Sequence, residues 1–188
     1  MTSEILIAGF GGQGVLSMGK TLAYGGVLRG KEVTWLPSYG PEQRGGTSNV
    51  TVVISDERIS SPIVDTYDVV IALNQQSLTK FEGRVKPGGI LVYDSYGIQA
   101  RPSRTDISVY SVDATEQANA NGLQKMTGIM VLGSMLSVNH ILDNDAIMES
   151  LRKTLPERYH HLLPANEKAL KMGEQMAVRE DARAASAA

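Results

Sequence analysis

The sequence predicts an α/β protein with a single doubly wound, Rossmann-like mixed sheet, helices on both faces and a helical C-terminal region. The first observation is an apolar run at 5–8 (ILIA) that leads into the glycine segment 9–14 (GFGGQG) and then into a helical pattern. The second is that segments 69–73 (VVIAL) and 90–93 (ILVY) are apolar without alternation, which is typical of strands covered on both faces. The third is segment 51–58, where TVVI precedes a turn-like SDER; this pattern indicates antiparallel strands and therefore a mixed sheet.

The individual elements follow from apolar periodicity and from the turn residues between the runs. Between residues 15 and 27, apolar side chains recur at a spacing that gives a helix one buried face. The segment KPGG at 86–89 predicts a loop that ends one helix and precedes the next strand. Strands are expected at 4–9, 32–36, 47–55, 68–73, 89–93 and 107–112. Helices are expected at 14–29, 75–83, 114–121, 126–141, 143–153 and 164–178.

Length and composition exclude several classes of function. The 188 residues suit one domain that buries about 70% of its unfolded surface. The 18 basic and 20 acidic residues leave no basic field for nucleic acid or an anionic membrane. The chain has no cysteine, which excludes disulfides, iron–sulfur clusters and thiolate zinc sites within this polypeptide. No apolar run reaches the roughly 20 residues of a membrane span and no signal sequence opens the chain, so we expect a cytoplasmic protein.

The glycine segment is the first candidate binding site. A strand, a glycine turn and a helix in succession present backbone N–H groups at the positive end of a helix dipole, where phosphate or another anion binds. We expect the first glycine to allow the tight turn, the middle one to let a ligand approach and the last to let the helix contact the strand. The candidate cofactor-binding residues are Gly9, Gly11, Gly12, Gln13 and Gly14.

The acidic residue that usually accompanies this fingerprint is missing. A dinucleotide-binding domain carries an Asp or Glu at the end of its second strand, where it holds the ribose hydroxyls. The second strand here ends at Pro37 and Ser38, and its one acid, Glu32, lies at the start. Gly19-Lys20-Thr21 also lacks the earlier glycine of a phosphate-binding P-loop. The pattern therefore disfavours NAD-dependent catalysis and P-loop hydrolysis, although a stand-alone protein that binds NAD or FAD remains an alternative.

A second candidate segment, PSYGPEQRGGTS at 37–48, follows the second strand, at the edge where doubly wound sheets bind ligands. Glycines beside an arginine allow backbone and guanidinium to approach one carboxylate or phosphate together, and the tyrosine adds a flat apolar face. The same features are typical of a subunit interface or a plain surface loop. The candidate cofactor-binding residues are Ser38, Tyr39, Arg44, Gly45 and Gly46.

Together these motifs resemble the gamma subunit of 2-oxoacid:ferredoxin oxidoreductases. The resemblance covers about residues 3–175, and it indicates one gamma-type domain at 3–178, with an alanine-rich, disordered tail at 179–188. At Gly128 the chain departs from the family, which commonly has Asn before the IxxLG run. The matching segments are GFGGQG at 9–14, SYGPEQRGGTS at 38–48, DVVIALN at 68–74, GGILVYD at 88–94, IMVLG at 129–133 and NEKALKMG at 166–173.

The resemblance implies a complex that oxidatively decarboxylates a 2-oxo acid to the acyl-CoA, using thiamine diphosphate, coenzyme A and ferredoxin. The chain has no cluster-binding cysteines and no GDG-plus-Asn motif for thiamine diphosphate. Thiamine diphosphate, Mg²⁺ and the iron–sulfur cluster are therefore expected on alpha and beta partner subunits or a ferredoxin-like delta subunit. This chain would complete the site and hold coenzyme A, with phosphates at the N–H groups of Gly11, Gly12 and Gly14 and charge from Arg44. The expected substrate is 2-oxoglutarate; pyruvate, branched-chain and indolepyruvate enzymes, and a purely structural scaffold, are alternatives.

The other polar residues predict no catalytic group and no metal ligand. His140 indicates a helix cap, His160 and His161 have no acid or cysteine at ligand spacing, and Lys20 with Thr21 indicate a solvated helix face. Asp94 and Asp113 are expected to cap helices. The methionines at 126, 130 and 135 recur at helical spacing, which indicates core positions or an adaptable subunit contact.

Overall fold

A computed structural model describes residues 1–39 and 46–180 and contains one seven-stranded sheet in the order β2-β3-β1-β4-β5-β6-β7. The strands are β1 (Thr2–Phe10), β2 (Glu32–Tyr39), β3 (Thr47–Ser55), β4 (Tyr67–Ala72), β5 (Val85–Asp94), β6 (Ser108–Val112) and β7 (Val178–Arg179). The helices are α1 (Val15–Leu28), α2 (Gln75–Phe81), α3 (Ala114–Ala120), α4 (Thr127–Asn139), α5 (Asn144–Thr154) and α6 (Leu163–Glu174). Three 3-10 turns lie at Glu82–Arg84, Gln124–Met126 and Glu157–Leu162.

The sheet is mixed, as the sequence predicts. β1, β4, β5 and β6 run parallel, β3 is antiparallel between β2 and β1, and β7 is antiparallel to β6. The parallel strands therefore begin at one edge of the sheet and end at the other. We call these the amino edge and the carboxyl edge.

The two faces of the sheet carry separate apolar clusters. One cluster joins the sheet to α1, α3, α4, α5 and α6, and it includes Met126, Met130 and Met135, which confirms their core interpretation. The other cluster lies under α2, through Leu78 and Phe81. Helices on both faces confirm the doubly wound class. No helix within the described ranges is long and apolar enough to cross a membrane.

Two turn predictions are wrong. The segment at 55–58 does not connect paired strands, because β3 has β2 and β1 as neighbours and the next strand, β4, pairs with β1 on its other side. Residues 86–89 lie inside β5 rather than in a loop. The pairing with β4 shifts register there, from Tyr67↔Val85 to Val69↔Ile90, so the glycines form an irregularity within a strand.

The ends of two elements also differ from the sequence interpretation. β2 continues past Leu36 through Pro37 and Ser38, because β2 is an edge strand and a proline there disturbs no shared ladder. α6 ends at Glu174 instead of 178, and β7 follows it, so the strand crosses the expected start of the tail at 179. Residues 181–188 of that tail lie outside the described residues.

Candidate functional site

A cleft of about 670 Å³ lies at the carboxyl edge of the sheet. The start of α1 forms one side of it, and the 3-10 turn Gln124–Met126 with the start of α4 forms another. The ends of β4 and β5 and the start of α3 supply further lining residues. The polar and glycine lining includes Gly12, Gln13, Gly14, Ser17, Lys20, Asp94, Tyr96, Thr115, Gln124, Lys125, Thr127 and Gly128.

The glycines of the first motif have different roles from those expected. Gly12 and Gly14 adopt φ of 100° and 79°, a left-handed conformation that favours glycine, and Gly14 caps α1. Gly9 allows close approach instead, because a Cβ there would lie 2.8 Å from Gln13 Oε1 and 2.9 Å from Val15 Cγ2. The first glycine therefore lets the helix approach the strand, and the later ones allow the turn.

The Gln13 side chain holds the turn to a neighbouring strand. Its Oε1 accepts hydrogen bonds from the N–H of Phe10 at 2.7 Å and from Asn74 Nδ2 at 2.9 Å. Its Nε2 donates to the carbonyl of Leu73 at 2.9 Å. Asn74 Oδ1 in turn accepts from the N–H of Ser77 and caps α2. Gln13 lines the cleft, but its amide is already engaged in joining β1 to the end of β4.

The two glycine motifs contact each other. The N–H of Gly11 donates to the carbonyl of Gly46 at 3.0 Å, so this amide is engaged within the chain. Over residues 1–39 and 46–180, no acceptor engages the N–H of Gly12 or Gly14. Helix α1 has no side-chain cap and no acid in its first turn. The open donors of the turn are therefore those of Gly12 and Gly14.

The second motif is only partly described. Ser38 is exposed near the end of β2, and neither it nor Gly46 is part of the cleft lining. Tyr39 ends the backbone of β2. Arg44 and Gly45 lie outside the described residues.

The described end of β2 offers no carboxylate in the ribose-binding position. Glu32 pairs with Ser55 at the amino edge, as the sequence interpretation requires. Asp94, at the end of β5, instead accepts hydrogen bonds from the N–H groups of Tyr96 and Thr115 and from Thr115 Oγ1. Burial raises the pKa of the Asp94 carboxyl. Asp94 therefore joins the end of β5 to the first turn of α3.

Several other polar residues can be placed. His140 is the C-terminal cap of α4 at φ 58°, which confirms its interpretation as a cap. His160 Nε2 lies 2.9 Å from the carbonyl oxygen of Leu155. Asp113 precedes α3, but its Oδ2 accepts from Gln117 Nε2 at 2.9 Å and caps no backbone N–H. In the part of the chain that the structure describes, no three His, Cys, Asp or Glu side chains group as a metal site requires.

Two lysines give the cleft a positive character that sequence reasoning missed. Lys20 of α1 and Lys125 beside α4 are exposed and line the cleft, and neither forms an ion pair with any residue that the structure describes. The solvated interpretation was wrong for Thr21, which is buried. The signal for Lys125 was its position between the two helices that follow the last parallel strand, just before the second of them.

The departure from the family at Gly128 lies in the same cleft. A Cβ on Gly128 would lie 2.8 Å from Cγ and 3.0 Å from Sδ of the buried Met18. The glycine therefore lets the start of α4 approach α1, and any larger residue would require Met18 to move.

Comparisons with known proteins agree with this architecture. The family model "Pyruvate ferredoxin/flavodoxin oxidoreductase" matches residues 4–176. Ketoisovalerate oxidoreductase subunit VorA of Methanothermobacter thermautotrophicus is 42% identical over 93% of this chain, but the match covers 36% of VorA. The chain thus spans about a third of the length of that relative. 2-Oxoglutarate synthase subunit KorC of Methanocaldococcus jannaschii is 32% identical over 84% of this chain and 86% of KorC.

Solved structures have the same fold. The gamma subunit of keto/oxoacid ferredoxin oxidoreductase from Geobacter sulfurreducens matches with a TM-score of 0.80 and 27% identity, over 94% of this chain and 96% of that one. The 2-oxoglutarate:ferredoxin oxidoreductase from Magnetococcus marinus, with 2-oxoglutarate, coenzyme A and succinyl-CoA bound, matches with a TM-score of 0.83 and 24% identity. That match covers 92% of this chain and 30% of the other. At this identity the second likeness concerns the fold alone.

Proposed function

This chain belongs to the pyruvate ferredoxin/flavodoxin oxidoreductase family, and we propose that it acts as the gamma-type subunit of a multi-subunit 2-oxoacid:ferredoxin oxidoreductase. Such a complex oxidatively decarboxylates a 2-oxo acid, passes two electrons to ferredoxin and transfers the acyl group to coenzyme A. The chain contains no cysteine. Thiolate ligands for an iron–sulfur cluster would therefore come from outside these 188 residues, and we assign thiamine diphosphate with Mg²⁺ to alpha and beta partner subunits.

The contribution that we propose for this chain is the binding of coenzyme A. The observation that carries the proposal is the pair of lysines, Lys20 and Lys125, which line one cleft without an ion-pair partner among the described residues. Lysine is suited to phosphate as a point charge, and coenzyme A is a polyanion with a diphosphate and a separate 3′-phosphate.

The backbone supports the same ligand. α1 and α4 both begin at the cleft, and neither has a side-chain cap or an acid in its first turn. The N–H groups of Gly12 and Gly14 add donors at the start of α1. Two positive helix ends and two cations in one cleft suit a ligand with two anionic centres. Gly11 and Gln13, by contrast, act in this proposal by holding the turn.

Coenzyme A fits this cleft better than NAD does. The described end of β2 has no carboxylate for a ribose diol, and Glu32 lies at the opposite edge of the sheet. The same fold occurs in the Magnetococcus marinus enzyme, whose structure holds coenzyme A and succinyl-CoA. Arg44, outside the described residues, remains a proposed second source of charge, together with Ser38, Tyr39, Gly45 and Gly46 as either ligand or subunit contacts.

The substrate is proposed at the level of its class, a 2-oxo acid. The relatives include a ketoisovalerate subunit at 42% identity and a 2-oxoglutarate subunit at 32%, so branched-chain and 2-oxoglutarate substrates both stay in the proposal. The expectation of 2-oxoglutarate stays a prediction. Substrate selection would reside chiefly on the thiamine-binding partners, because the reacting carbon is bound there.

Affinity purification from the native source tests this proposal. A thiamine-binding chain should co-elute with the tagged protein, and the eluate should reduce ferredoxin when given a 2-oxo acid and coenzyme A. The chain purified alone should turn over no 2-oxo acid, yet it should bind coenzyme A and not NADH in calorimetric titrations. Turnover by the lone chain, or micromolar affinity for NADH without affinity for coenzyme A, would overturn the proposal.

A further inference from the structure

Tyr96 is an aromatic side chain that the proposed function leaves without a role. It follows the end of β5, it is one of the residues that line the cleft, and 60% of the residue is exposed. A large aromatic group held open to solvent at the mouth of a cleft forgoes the free energy of burial. A ligand or partner that covers the ring would recover that free energy.

The backbone that carries Tyr96 is tightly fixed. Ser95 and Ile98 close a four-residue turn through a hydrogen bond from the N–H of Ile98 to the carbonyl of Ser95, at 3.3 Å. Gly97 occupies the third position with φ 72°, which a type II turn requires and which favours glycine. The N–H of Tyr96 also donates to Asp94 Oδ1 at 3.3 Å.

Contacts on both sides of the turn add to this rigidity. The N–H of Ser95 donates to the carbonyl of Val112 at 2.7 Å, which fastens the turn to β6. Beyond the turn, Gln75 Oε1 accepts from the N–H groups of Gln99 and Ala100, both at 2.9 Å. The backbone at Tyr96 is thus anchored, and little backbone conformational entropy remains to be lost when a flat ligand stacks on the ring.

The position of Tyr96 relative to the anion-binding groups suits the nucleotide end of the ligand. β1, β4 and β5 are adjacent strands, so the end of β5 lies about 10 Å across the sheet from the glycine turn that follows β1. Phosphate-binding groups and an aromatic face thus share one cleft but stand apart, as a nucleoside phosphate requires. The buried Asp94 carboxylate already accepts hydrogen bonds from Tyr96 and Thr115, so it is not an unpartnered negative charge in the cleft.

We infer that the ring of Tyr96 is the platform on which the adenine base of coenzyme A stacks, an inference that rests on the proposed function. The phosphates lie toward Lys20 and Lys125, and the pantetheine arm leaves the cleft toward the thiamine-binding partner. Stacking uses the π-face of the base, so Tyr96 contributes affinity for the adenosine part only. Tyr96 acts in binding and takes no part in the chemistry.

The test compares coenzyme A with 4′-phosphopantetheine, which lacks the adenosine part, by calorimetry on the full chain and by kinetics on the complex. Tyr96→Ala should weaken coenzyme A binding about 10-fold, the size of one lost base–aromatic stack, and leave 4′-phosphopantetheine affinity unchanged. Tyr96→Phe keeps the ring and should keep wild-type affinity. In the complex, Tyr96→Ala should raise KM for coenzyme A and leave kcat unchanged.

Tyr24→Ala is the matched control, because Tyr24 is 44% exposed on α1 and is not part of the cleft lining. If the wild-type protein binds coenzyme A and Tyr96→Ala binds it equally well, this inference fails and the proposed function stands. If Tyr96→Ala instead loses the thiamine-binding chain during purification with coenzyme A affinity intact, Tyr96 is a subunit contact and the inference is overturned. If neither the wild-type chain nor the complex binds coenzyme A, the coenzyme A role in the proposed function is overturned, and this inference is overturned with it.

Discussion

The two edges of the sheet use lysine in opposite ways. At the amino edge, Lys86 Nζ lies 2.5 Å from Glu4 Oε2 and 2.8 Å from Asp68 Oδ1, so one cation joins β1, β4 and β5. At the carboxyl edge, Lys20 and Lys125 line the cleft and form no ion pair with the described residues. Paired lysines hold strands together, and unpaired lysines in a cleft are available to a ligand.

The amino edge is also fastened beyond β1, β4 and β5. Asp56, which follows β3, accepts from Lys31 Nζ at 2.6 Å and from the amino group of Met1 at 2.7 Å. These contacts, led by the Lys31 hydrogen bond, lower the pKa of the Asp56 carboxyl to about 2. A charged side chain therefore does not mark a binding site by itself; the charge must also be free of partners within the fold.

Removing Lys86 should have the largest effect on stability. Lys86→Met leaves the carboxylates of Glu4 and Asp68 side by side without a cation, and should lower the free energy of unfolding by about 2 kcal/mol. The measurement is urea denaturation, with coenzyme A affinity expected to be unchanged. Lys171→Met, which breaks an exposed pair with Glu167, is the control and should cost less than about 0.5 kcal/mol. Equal losses for the two variants would refute the structural role of the amino edge.

Gln13 lines the cleft at the carboxyl edge, but its side-chain amide stabilises the fold. Gln13→Ala removes hydrogen bonds to Phe10, Leu73 and Asn74, and should cost about 1.5 kcal/mol of unfolding free energy. Gln124→Ala, which also changes an exposed glutamine of the cleft lining, should cost less than about 0.5 kcal/mol. Thermal and urea unfolding of both variants provide the readout. A Gln13→Ala protein of wild-type stability would mean that the side chain is free for a ligand after all.

The lysines of the cleft should behave in the opposite way to Lys86. Lys125→Ala and Lys20→Ala should each weaken coenzyme A binding about 10-fold, as expected for the loss of one charge-assisted contact. Their unfolding free energies should stay within about 0.5 kcal/mol of wild type, because no described ion pair is lost. Calorimetric titration at two salt concentrations checks the prediction, since the wild-type affinity should fall with salt more steeply than that of either variant. Wild-type affinity for coenzyme A in both variants would contradict the proposal that the lysines of the carboxyl edge bind the ligand.

The smallest expected effect is on acid stability. The folded-state pKa of Asp56 lies below the unfolded value of about 3.9, so ionised Asp56 stabilises the protein above that pH. The contribution is lost as pH falls from about 4 to about 2. Asp94 has the opposite sign, because burial raises its pKa and its protonation favours the folded state. The stability difference between wild type and Asp56→Asn should therefore shrink over that pH range in urea titrations; a constant difference would contradict the pairing.

Local pattern predicted much of the fold. The strand expected at 47–55 has those bounds in the structure, as Thr47–Ser55, because residues 50–54 form a continuous β-branched run and turn residues flank the strand. The glycine turn was also predictable, since positive φ at Gly12 and Gly14 is a local property of the backbone. The short strand Val178–Arg179 was not, because two residues carry no periodicity and their pairing with β6 depends on a segment about 70 positions earlier in the chain.

The candidate site likewise combines features set by local sequence with features set by long-range contacts. The fold class, the family and the place of a glycine turn at a strand end were predictable from the sequence, because they depend on residue order and local conformation. Which groups of that turn are free depends on long-range contacts, since two of the three partners of the Gln13 side chain lie 60 and 61 positions away and the N–H of Gly11 donates to Gly46. The tertiary structure also brought Lys20, Tyr96 and Lys125 to one cleft. Long-range contacts determine whether a polar group is already satisfied, and no local pattern records them.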